Sequence, residues 1–200
     1  MKKQIKRFTL VEILMVTGMI CLIAALIVVA YNGVYRSWSS KNTVATMKAA
    51  HLALDRYMLE NGSYPKKWID NKKGKLEFTY KDKSESGYEP SERKLAKDIL
   101  QECAPYSYEK NKTVTVFDDF GPKTPHDDVQ VIYYVFPHSN NKTFALMSKG
   151  KNGKWGDDDD IIYLPKGDKD KNLKPGFYMC TTDEDGNLPS NTDDIEPMAQ

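Results

Sequence analysis

The chain has 200 residues, room for one domain of ordinary size plus an appendage. Its 29 Lys and Arg against 28 Asp and Glu leave a formal charge of +1, so bulk electrostatics does not point to a nucleic-acid partner. Mean hydropathy is −0.60 despite one long apolar block near the start, which leaves the remainder polar enough for a soluble domain.

Residues 1–7 form a basic leader carrying Lys2, Lys3, Lys6 and Arg7 and no acid. From 8 to 30 the only ionisable groups are Glu12 and the Cys21 thiol. At about 1.5 Å per residue, a helix over 8–30 reaches roughly 34 Å, enough to cross a bilayer core. The positive-inside bias puts the N-terminus in the cytoplasm and the rest of the chain outside. A cleaved signal peptide ending at Val28-Val29-Ala30 is the competing reading. Against it, the apolar run exceeds the usual h-region of about 7–15 residues, and an acid near its start is out of place there.

Arg7-Phe8-Thr9-Leu10-Val11-Glu12-Ile13-Leu14 resembles a type IV prepilin signal. The resemblance implies that a prepilin peptidase cuts between Arg7 and Phe8, that the new Phe8 amine is methylated, and that Glu12 stays within the membrane helix. The chain departs from the family in having Arg7 where Gly is usual before the bond, and Val29 where many members carry a helix-kinking Pro. An ionised carboxylate in the bilayer costs about 2.5–3.5 kcal/mol on insertion scales. The Phe8 amine of a neighbouring subunit, with a reference pKa of about 7.7–8.0, is the natural partner, so assembly would relieve the cost. The bland alternative is a carboxylate resting near the headgroups.

Residues 31–62 continue as an amphipathic half of the same helix, with Val44, Met47, His51, Leu54 and Met58 on one face. His51 reads as a packed residue without chemistry. Asn61 or Gly62 should cap the helix, and Pro65 cannot continue it. The stretch from Leu54 to Pro65, with its order of aromatic, acid, Asn, Tyr and Pro, resembles the end of the long helix in the major pseudopilin of type II secretion systems. The outer globular region, 63–200, opens with a lysine-rich loop over 66–89 holding a short strand at 76–80. A helix starting at Ser91 carries Leu95, Ile99, Leu100 and Cys103 on one face. Strands are predicted at 113–117, 129–136 and 143–148, the last two forming a hairpin through the turn-rich 137–142. The fold class is therefore α+β, a long N-terminal helix packed on a small antiparallel sheet in the manner of a pilin.

An acidic loop, 147–162, follows the last predicted strand. The adjacent charges of Asp157, Asp158, Asp159 and Asp160 repel one another unless screened, and its glycines let carbonyls turn inward, which suits Ca²⁺. The segment resembles the calcium-holding C-terminal loop of the major pseudopilin, with Asn152 in place of its usual first Asp. The resemblance implies Ser148, Asn152 and Asp157 to Asp160 as ligands, against a merely solvated acidic loop. Asp183-Glu184-Asp185-Gly186-Asn187 lacks the end carboxylates of an EF-hand. Cys103 and Cys180 both fall outside the cytoplasm, where disulfides persist, and either a bridge or two separate thiols fits the sequence.

Together these features predict a structural subunit of a type II secretion pseudopilus or type IV pilus-like filament, not an enzyme. Its expected partners are copies of itself or other pilin-like subunits, an inner-membrane assembly platform and the prepilin peptidase, with no nucleic acid. It would be a single-pass inner-membrane protein before assembly. A signal-anchored enzyme has little to point to: His51, His126 and His138 are scattered, no nucleophile motif is present, and His126-Asp127-Asp128 sits among turn residues. An anchored calcium-binding module that does not assemble is the third reading.

Overall fold

The computed structural model describes residues 9–65, 74–120, 130–138, 143–182, 188–189 and 195–198. It divides into two compact units, Met1–Trp38 and Ser39–Gln200, and helix α1, Leu10–Asn61, contributes residues to both.

In the first unit α1 begins with a reciprocal cap. The Thr9 hydroxyl accepts from the Glu12 N–H at 3.3 Å, while Glu12 Oε2 accepts from the Thr9 N–H at 2.8 Å and from its hydroxyl at 2.9 Å. This is the Ser/Thr-x-x-Glu capping box, which satisfies amide donors that a helix start otherwise leaves open. Further along, the Thr17 hydroxyl donates to the Ile13 carbonyl at 3.0 Å, so its own polarity is satisfied within the helix. None of Leu10–Tyr31 is buried by protein, and this segment is long and apolar enough to cross a membrane.

In the second unit the same helix turns a packed face inward. Met47, Ala50, Ala53 and Leu54 are fully buried, with Val44 and Met58 partly buried beside them, so the 3.6-residue stripe holds. The helix ends as expected: Gly62 takes φ +74 and its N–H reaches the Met58 carbonyl at 2.8 Å, an αL cap that a residue with a Cβ would strain.

Among the described residues the strands form two sheets. The larger is antiparallel, in the order β1 (Gly74–Lys75), β5 (Tyr133–His138), β6 (Thr143–Ser148), β7 (Asp160–Leu164), β8 (Gly176–Cys180) and β9 (Ile195–Pro197). The smaller places β4 (Thr113–Val116) between β2 (Glu77–Thr79) and β3 (Ser107–Lys110), and helix α2 (Pro90–Glu102) packs on it through Leu95, Ala96 and Ile99. Helix α2 starts one residue before the predicted Ser91, since Pro90 fits the first helical position. The predicted 143–148 strand is β6, and its hairpin with β5 is present, with an irregular register between Val135 and His138. The expected 129–136 strand begins later. Val131 makes only an isolated bridge to Phe117, and regular pairing starts at Tyr133.

Both faces of the large sheet are covered. Phe144, Leu146, Ile161 and Phe177 point into the core shared with α1, while Ala145, Met147, Ile162, Leu164, Tyr178 and Cys180 form a second core with Ile195. Trp155, Leu173 and Leu188, from segments between and after the strands, pack against that second core. All of β6 is consequently buried, as strands covered on both faces are.

Candidate functional site

Two places carry the predicted chemistry: the start of α1 and the acidic loop between β6 and β7. At the first, Arg7 and Phe8 lie outside the described residues. Glu12 sits in the first helical turn and has a local task as the acceptor of the Thr9 donors. The Thr9-x-x-Glu12 spacing is a cap signature in the sequence, and it overlaps the prepilin-like stretch 7–14.

In the acidic loop, five of the six predicted ligands fall into separate hydrogen-bonded groups, and Asp158 is exposed. The Ser148 hydroxyl donates to Asp118 Oδ2 at 2.7 Å and accepts from the Gly150 N–H at 3.2 Å. The Asn152 amide nitrogen donates to Asp157 Oδ2 and, at 3.2 Å, to Asp159 Oδ1. Asp159 is buried and takes the Lys151 N–H at 2.8 Å on its other oxygen. Asp157 and Asp158 are exposed.

Asp160 belongs to a strand: it opens β7, paired in register with Cys180. Its Oδ2 accepts from the Thr182 hydroxyl, from the Gly156 N–H at 3.2 Å and from the Thr182 N–H at 3.3 Å. Burial pushes the Asp160 carboxyl up to about 6 against the pull of those three donors, and the Asp159 charge adds to the rise. Its Oδ1 is buried without a hydrogen-bond partner among the described residues. Ca²⁺ takes six to eight oxygens around one point, whereas Asp160 Oδ1 is buried at the start of β7 and Asp157 and Asp158 face solvent. No three Asp, Glu, His or Cys side chains among the described residues gather as a metal site requires. In this arrangement Asp157, Asp159 and Asp160 engage amide and hydroxyl donors and do not converge on one point.

No family model, curated protein or solved structure matches the chain.

Of the two arrangements the sequence left open for Cys103 and Cys180, the structure has separate thiols: both cysteines are free. They occupy different cores: Cys103 caps α2 and points its thiol at the Thr46 carbonyl, 3.9 Å away, whereas Cys180 lies on the opposite face of the large sheet. His51 packs edge-on against Phe144, with ring centroids 5.5 Å apart, as expected of a packed residue. It is also bonded, which the sequence did not reveal: Nδ1 lies 2.6 Å from the Tyr163 hydroxyl, and Nε2 lies 3.0 Å from Asp55, which accepts from Tyr64 as well. Because Nε2 faces a carboxylate it carries the proton, leaving Nδ1 to accept from Tyr163 when the ring is neutral. The group ties α1 to β7 and to the chain just past the helix. His126-Asp127-Asp128 and the 183–187 acids lie outside the described residues.

Proposed function

We propose that this chain is a membrane-anchored structural subunit of the type IV pilin class. In this reading it assembles through the N-terminal part of α1 with copies of itself or related subunits, in a type II secretion pseudopilus or pilus-like filament. The observation that carries the proposal is the Phe-Thr-Leu-Val-Glu sequence of residues 8–12 together with a helix whose apolar segment, Leu10–Tyr31, is covered by no protein. Such a surface needs lipid or other helices around it. Assembly would follow delivery to a platform in the inner membrane and removal of the leader before Phe8. The role is scaffolding, with no catalytic step assigned to it.

The Thr9–Glu12 cap favours one second reading, an anchored protein that stays single, because the cap occupies Glu12 without any neighbour. Glu12→Gln separates the two. Gln still serves in a capping box, whereas it carries no charge for a neighbour's amine to neutralise. On the filament reading, Glu12→Gln and Glu12→Ala both keep normal membrane levels and both lose at least several-fold in cross-linked oligomer yield. Full oligomer yield from Glu12→Gln, with loss only in Glu12→Ala, would assign Glu12 to capping alone. Intact mass of the membrane-extracted protein checks the processing step: a chain starting at Phe8 is expected, and one starting at Tyr31 would make 1–30 a signal peptide.

A further inference from the structure

We infer that the acidic loop between β6 and β7 is closed by the side-chain amide of Asn152, whose N–H groups stand where a cation would otherwise bridge Asp157 and Asp159.

The loop must hold negative charges at close quarters, since Asp157 Oδ2 and Asp159 Oδ1 both lie within hydrogen-bond reach of one nitrogen. Two carboxylates so placed need positive or donor groups between them. The Asn152 amide supplies two N–H donors, one for each. Its orientation is set from the other end: Asn152 Oδ1 accepts the Lys154 N–H at 2.6 Å, so the nitrogen is the end that faces the acids. The Lys151 N–H completes Asp159 at 2.8 Å. Every donor in this arrangement comes from 151–154, one short stretch folded back on the acids.

The backbone is shaped for that closure. Gly150 takes φ +61, and a Cβ there would fall 2.2 Å from the Asp159 carbonyl oxygen and 2.7 Å from the Asp159 Cγ. Such an approach admits only glycine. Beyond the closure the loop places Trp155 edge-on against Tyr133, with centroids 5.1 Å apart, and packs it on the second core. Lys149 lies over both rings, 5.2 Å from Tyr133 and 5.4 Å from Trp155. Closing the loop thus holds one cover of the large sheet. The closure lies within this loop and does not depend on assembly in a membrane.

The test is thermal melting of the full-length protein in detergent, in millimolar calcium chloride and in chelator. The unsubstituted protein is expected to melt within about 1 °C in the two buffers. Asn152→Ala, which leaves both acids without the shared donor, is expected to melt about 2–4 °C lower in both, the shift that loss of one good interaction gives in a protein of this size. Asn152→Asp puts a third carboxylate where the amide stood, so it should melt lower in chelator and recover by at least about 2 °C in calcium. A rise of several degrees for the unsubstituted protein in calcium would overturn the inference, as would an Asn152→Ala protein that melts unchanged. An Asn152→Asp protein indifferent to calcium would show that the amide does not occupy a cation's place. Should Asn152→Asp fail to fold in either buffer, the unsubstituted protein and Asn152→Ala still decide the matter.

Discussion

Cys103 and Cys180 are buried, and burial pushes each thiol up to about 12, with the nearby charge of Glu102 adding to the first and that of Asp160 to the second. The thiolate is the reactive form, so both should be inert in the folded protein. Iodoacetamide at pH 8 is expected to leave both unmodified in the folded full-length chain and to modify both after denaturation. Dithiothreitol should not shift the melting temperature, since no bridge is present to break. Rapid labelling of either residue in the folded protein, or a melting shift on reduction, would contradict this arrangement. At the same scale, a single residue can carry two signals. Glu12 stands in the prepilin-like motif and in a Thr-x-x-Glu cap, and only geometry shows the cap to be made.

Helix α1 separates adjacent positions sharply. Leu54 is fully buried in the core, while Leu52, two residues before it, is 55% exposed. Leu54→Ala should destabilise the Ser39–Gln200 unit by about 2–5 kcal/mol through lost burial and the cavity left behind. Leu52→Ala should stay within about 0.5 kcal/mol of the unsubstituted protein. Denaturant titration of the two variants measures the contrast, and equal losses would mean that the packed face has been misplaced. The stripe was legible because it repeats at helical spacing. The strands after the acidic run were not. β7 begins inside that run at Asp160, and β8 and β9 are short, with no strict alternation to announce them. Each is stabilised by its neighbours in the sheet, and pairing of that kind is not a local property.

For the whole molecule, the exposed apolar segment is the feature with the largest consequence. Leu22 and Ile23 lie near its middle, exposed at 62% and 55%. If the segment spans a bilayer, Arg at both positions adds about 2.5–3.5 kcal/mol each to the cost of insertion. The unsubstituted chain should therefore stay with membranes through alkaline carbonate extraction, whereas Leu22→Arg with Ile23→Arg should be released. Release of the unsubstituted chain, or retention of the double variant, would count against the anchor.

The sequence by itself determined the apolar segment, the helical stripe behind it, the Gly62 stop and the β5–β6 hairpin, because each is written in neighbouring residues at a regular spacing or in a turn. Tertiary structure alone decided that the large sheet is buried on both faces and that Asp160 belongs to a strand. It also decided that Ser148 answers Asp118 and that Thr182 answers Asp160. Those pairs lie 30 and 22 residues apart in the chain, and no local pattern encodes which donor meets which acid. The acidic run was legible as charge. Its disposition was not, since carboxylates four in a row can share a cation, face solvent or be taken up singly by amide and hydroxyl donors, and only the fold brings those donors within reach.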